Sequence, residues 1–177
     1  IHTHIWLARF RTRQIDPAMR AVTWPGRVAK DNSMADLVET YRLMFPGKMV
    51  TPLMFSNVLS RKDKIDAANG YVSAAARKQR LPALIFALPE WSGSEFERRI
   101  RAGGFLGAKV YLSFAPLHKP ESDIEIFDYI PHHQLKVLDR NGWILMLHIP
   151  RPGRLKDPVN LAQLVEIEKR YPRVKVI

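Results

Sequence analysis

The feature that most constrains this chain is a regular alternation of short apolar runs with amphipathic segments. The apolar runs fall at 49–55, 83–88, 108–114, 143–149 and 174–177, and a further strand is already under way at 1–6. Between them lie segments with helical spacing and helix punctuation. Asn32-Ser33 precedes a stretch in which Met34, Leu37, Val38, Tyr41 and Met44 share one face, before Pro46-Gly47 stops it. Ser60, with Asp63 three residues on, opens a helix expected to reach Gln79. A third helix is expected over 92–101, ended by Gly103-Gly104, and a fourth over 131–140, closed by Asn141-Gly142. Asp157-Pro158 begins the last, which runs to Arg170.

Strands centred near 4, 51, 85, 110, 146 and 175 are separated by roughly 25 to 45 residues, enough for the helical crossover that joins parallel neighbours. The sheet is therefore expected to be parallel. An open doubly wound sheet and a (β/α)8 barrel both fit, but no glycine-rich phosphate loop follows any strand, which favours the barrel. A whole barrel takes about 250 residues, so the 177 present would form a single partial barrel domain, 1–177, truncated after about six strands. Ile1 starts inside a strand and 173–177 is a β-branched run without a turn signal, so the chain is expected to be cut at both ends. Leu84, Ile85, Leu112, Leu145 and Leu147 are the expected interior.

With 46% apolar residues the chain can bury a core, and no run approaches the ~18 apolar residues of a membrane helix. The absence of cysteine excludes disulfides, thiolate nucleophiles and Cys-held metals, and fits a reducing cytoplasm. Any metal must then sit on His and carboxylates. The net charge of +11 favours anionic partners.

His2 and His4 lie two apart on one strand, so both imidazoles point to the same side and can reach one ion. A pair so spaced also arises by chance. His148 ends the fifth strand, on the same rim of a barrel, where active sites gather; outside a barrel it reads as a histidine bonded to a backbone carbonyl. Lys109 is a charge inside an apolar strand and needs an anion, conversion to a metal-bridging carbamate, or an outward path to solvent. Tyr111 shares its face and can donate a hydrogen bond. Arg151 and Arg154, in the rigid basic loop after His148, could fork onto a carboxylate or phosphate or pair with Asp157. Asp157 itself reads as a helix cap. His118, in the loop after the fourth strand, is a second-tier substrate-binding candidate, and His132-His133 falls on a helix away from the rim.

His2-Thr3-His4, Gly107-Ala108-Lys109-Val110-Tyr111 and Leu147-His148 resemble, in order and spacing, the amidohydrolase superfamily, specifically its "amidohydrolase 2" metal-dependent hydrolase branch. The resemblance covers essentially the whole chain and about two thirds of the family's domain. It implies a (β/α)8 barrel in which His2, His4 and His148 hold one or two divalent metals. Zinc is expected, with manganese, nickel or iron as alternatives. Lys109 falls where some members carry a carboxylated lysine. The family's sixth-strand histidine and eighth-strand aspartate have no counterpart in this sequence.

These readings lead to a metal-activated water attacking an amide, ester or lactone carbonyl of a small carboxylated substrate. Decarboxylation of an acid with the same ligands is the alternative enzyme. No residue clearly takes the water's proton, so residues 1–177 alone are expected to be inactive, while a longer parent turns over. Arg77-Lys78-Gln79-Arg80 and Arg98-Arg99-Ile100-Arg101 keep open a basic nucleic-acid-binding protein, although both runs fall at helix ends where cations complement the dipole. Open sheet edges leave room for a homo-oligomer.

Overall fold

The computed structural model describes residues 1–12, 28–58 and 60–177. Among the described residues six strands alternate with five α-helices. They are β1 His2–Ile5, α1 Met34–Met44, β2 Leu53–Ser56, α2 Ile65–Gln79, β3 Ile85–Phe86, α3 Gly93–Gly103, β4 Gly107–Lys109, α4 His132–Asn141, β5 Ile144–Met146, α5 Pro158–Arg170 and β6 Lys175–Val176. The middle of the first connection, 13–27, lies outside the described residues.

The pairings among these six strands are all parallel, and an isolated antiparallel bridge joins Trp6 to Asn32. β1 pairs with β2, and β3, β4, β5 and β6 form a second sheet in that order. A bridge between Met54 and Ala83 joins the two sheets, with the Leu84 amide donating to the Met54 carbonyl at 2.8 Å. The strands thus follow one another in space as they do in sequence, without the reversal that makes a doubly wound sheet. Among the described residues β1 and β6 do not pair, and the sheets are not closed. The expected mixed α/β class with parallel strands is present; a closed barrel is not.

The helix punctuation explains where the elements stop. Ser33 and Asp36 form a reciprocal capping box on α1, Ser92 caps α3, and Asp157 accepts from the Val159 and Asn160 amides at the start of α5. Gly104 and Gly142 end α3 and α4 in the left-handed region. Gly107 is required by proximity: a Cβ there would come within 2.0 Å of the Ile144 carbonyl oxygen, so only glycine lets β4 lie against β5 at this register.

The strands are shorter than the apolar runs, and one helix is shorter than expected. The helix anticipated from Ser60 begins at Ile65, because Asp63 accepts from the Ser60 amide at 3.1 Å and the Thr12 amide at 2.7 Å, closing a turn instead of a first helical turn. The fourth strand ends at Lys109, and Leu112–Phe114 is a 3-10 helix whose Leu112 and Phe114 side chains dive into the core. Leu84, Ile85 and Leu145 are buried as expected, and Leu147 is partly buried. No helix among the described residues is long and apolar enough to cross a membrane.

Candidate active site at the strand ends

His2 and His4 project from the same side of β1, and the register sets His4 opposite Phe55 of β2. Both imidazoles pack on that phenyl ring, with centroids at 4.9 and 4.4 Å. Thr3 points the other way and bonds the Tyr41 hydroxyl. The His4 Nδ1 lies 3.3 Å from the Ser56 carbonyl oxygen. Donation there fixes the tautomer and leaves the Nε2 lone pair free. That atom lies 3.4 Å from the Nε2 of His2.

The β4 register delivers the other half. Lys109 stands between Phe86 of β3 and Met146 of β5 and is only 3% exposed. Its Nζ lies 4.7 Å from the Tyr111 ring centroid and 5.8 Å from that of Phe55, and it forms no ion pair with a described residue. The outward, snorkelling path does not occur. Tyr111 stacks on Phe86 at 5.3 Å and contacts His148 edge-on at 5.5 Å. Its hydroxyl oxygen is 3.3 Å from Nδ1 and 3.2 Å from Nε2 of His4. With Nδ1 donating to Ser56, the Nε2 lone pair of His4 is the one that can accept the Tyr111 proton until a ligand takes either group.

The electrostatics follow from burial with no acid nearby. Burial first, then the positive charge of protonated His2, pushes His4 down to about 3, against the partial restoring effect of the Ser56 carbonyl. Lost hydration, then Lys109, Arg154 and His2, lower His148 to about 4, and His2 is lowered by burial and by Lys109. Burial brings Lys109 down to about 8 and raises Tyr111. At pH 7 the three imidazoles are neutral while Lys109 and Tyr111 keep their protons.

Two imidazole nitrogens bound to one tetrahedral zinc at ~2.0–2.1 Å stand about 3.3 to 3.4 Å apart. The His2/His4 pair therefore has the bite of two ligands of one cation, with both rings neutral and one anchored from behind. Among the described residues no group of three His, Cys, Asp or Glu side chains is gathered closely enough to hold an ion. His148 meets the pair through Tyr111, so the expected triad is drawn together only in part.

The remaining candidates are engaged within their own loop or lie open. Arg151 and Arg154 both have positive φ, 59° and 49°. Arg151 donates from Nε to Asp157 at 3.0 Å, and Arg154 donates to the Ile149 carbonyl at 2.7 Å. His118 is exposed. His132 and His133 lie on α4, against the Tyr171 hydroxyl and the Trp91 carbonyl. The basic runs are largely tied to neighbours. Arg99 binds Asp66 and Glu95 and covers Trp91, Arg101 binds Glu97, and Arg77 donates to the Ala102 carbonyl. Sequence reading missed Phe55 and the Ser56 carbonyl. Phe55 was legible as a strand residue, but its facing His4 depends on register, and a main-chain acceptor leaves no mark in sequence.

A solved structure shares this fold. It is described as a "putative amidohydrolase" from Staphylococcus aureus, at 16% identity and a TM-score of 0.55, over 88% of this chain and 62% of that one. The chain thus spans about three fifths of the neighbour's length. No family model and no curated protein matches the chain.

Proposed function

We propose that the strand-end cluster is an amidohydrolase-type active site on an incomplete (β/α)8 barrel, acting by metal-dependent hydrolysis on an amide, ester or lactone of a small carboxylated substrate. The observation that carries the reading is the His2/His4 pair, neutral and with Nε2 atoms 3.4 Å apart on a parallel strand beside Lys109 and Tyr111. The likeness to an amidohydrolase-type fold supports it.

His2 and His4 would hold a divalent ion, zinc in the first place, with His148 and Lys109 at its margin. When bound, such an ion polarises a carbonyl and lowers the pKa of water. The chain's own residues do the rest. Donation from His4 to Ser56 orients the imidazole. Phe55 excludes water from one side of the pair. Tyr111, protonated by virtue of its burial, offers the substrate one hydroxyl donor. None of the five polar side chains is a carboxylate, and the resemblance puts the proton acceptor on an eighth strand of a longer protein. The cysteine-free composition supports a cytoplasmic address.

Elemental analysis of the purified protein tests the reading. A stoichiometric divalent ion is expected, lost in the His2→Ala/His4→Ala double variant. No metal uptake by wild type, or equal uptake by the variant, overturns it. A panel of lactones, amides and acids, assayed on the 177-residue chain and on any longer protein containing it, separates hydrolysis from release of CO2.

A further inference from the structure

The cluster contains one buried cation that nothing among the described residues neutralises. Lys109 is 3% exposed and forms no ion pair or hydrogen bond from its ammonium, and no carboxylate contacts it or the neighbouring imidazoles among the described residues. An unpaired buried ammonium is costly. Beside it stands a donor, the Tyr111 hydroxyl, 3.2 Å from the Nε2 of His4, and His2 and His148, both exposed, mark the opening toward solvent. Of the arginines that sequence alone offers for an acid, Arg151 is paired with Asp157, and Arg154 is exposed and bonded to the Ile149 carbonyl of its own loop.

We propose that Lys109, as an unmodified ammonium, together with the Tyr111 hydroxyl, is the seat of the substrate's carboxylate, at the floor of the site and not on the arginine loop. The inference deepens the proposed function and rests on it. One positive charge with one hydroxyl donor matches a monoanion. A phosphate dianion calls for a guanidinium fork in contact with it, and Lys109 and Tyr111 offer none. The remaining walls, Phe55 and Phe86, receive the apolar part of the same molecule. The specificity that follows is for acids over their neutral amides.

Calorimetric titration of chelator-treated and metal-loaded protein with butyrate, butyramide and inorganic phosphate tests this. Wild type prefers butyrate to butyramide by about tenfold or more, as a charge-assisted bond provides, with or without metal, and binds phosphate more weakly. Lys109→Met and Lys109→Gln, checked for folding by their melting curves, abolish the preference. Tyr111→Phe reduces butyrate binding by a few-fold to about tenfold, and Arg154→Gln leaves the preference intact. Equal binding of butyrate and butyramide, a preference that survives in both lysine variants, tighter phosphate binding, or an intact mass raised at Lys109 by one CO2 overturns it. Failure of the metal analysis with the butyrate preference intact removes the hydrolase reading and leaves the acid seat. Bound metal with no lysine-dependent preference does the reverse.

Discussion

The helical face and the strand ends hold cations on opposite terms. Across α2, α3 and α4, Arg99 has two acids, Glu97 collects Arg101, Arg140 and Asn141, and all of these are partly open to water. At the strand ends Lys109 is buried with no acid paired to it among the described residues. The sequence charge of +11 is therefore two things. Surface pairs are worth little each, since water solvates the partners almost as well. A buried ammonium is a standing cost, and its retention points to a ligand. One region uses charge to hold the fold, and the other carries charge at the fold's expense.

The strongest way to break the comparison is to move the strand that carries the lysine. Gly107→Ala forces a Cβ into the Ile144 backbone and a side chain onto φ 152°, so we expect a loss of at least about 3 kcal/mol. Denaturant unfolding would read it, with butyrate binding lost in parallel.

Removing the cation itself should act in the opposite sense. Burial lowers Lys109 from 10.5 to about 8, so the unfolded chain binds the proton more tightly than the folded one. Stability therefore rises with pH between about 8 and 10.5, and below 8 the folded state carries the full cost. Lys109→Met is expected to stabilise the chain at pH 7 by up to about 3 kcal/mol and to flatten that rise. Chemical denaturation at pH 7 and pH 10 measures both effects. The imidazoles work at the other end of the scale. With His4 at about 3 and His148 at about 4, chelator-treated protein loses stability as pH falls below about 6.5, because the unfolded histidines take up protons first.

On the helical face the expected effects are smaller. Glu97→Gln should cost about 1 kcal/mol, because three partners share one acid, and the cost should shrink in high salt. Gly70, inside α2, has open space where a Cβ would go, so Gly70→Ala should stabilise by about 0.5 to 1 kcal/mol. A destabilising Gly70→Ala would show that the space beside Gly70 is filled in solution.

How much of this was legible in sequence differs between the same two regions. Ser33, Ser92, Asp157, Gly104 and Gly142 mark helix ends by local chemistry, and the helices stand within a few residues of where those signals put them. Ser60 and Asp63 carried the same signal and made a turn, because Asp63 also serves the distant Thr12 amide. The strands are less legible. Runs of six or seven apolar residues shrank to pairings of two to four, since pairing depends on what lies alongside. His2, His4 and Lys109 were visible as anomalies of spacing or charge. That Lys109 faces inward, that Phe55 backs the histidines, and that Arg151 and Arg154 are held by their own loop required register and backbone angles no local pattern encodes.

The central claim is that Lys109 is kept against stability in order to hold an acid. The most direct measurement is the melting of wild type and Lys109→Met, side by side, with and without saturating butyrate. The account predicts that the variant melts higher in the absence of butyrate, and that butyrate raises wild type alone and narrows the gap, as binding to the folded state requires. A variant that melts lower than wild type without butyrate, or equal butyrate shifts in the two proteins, would contradict it.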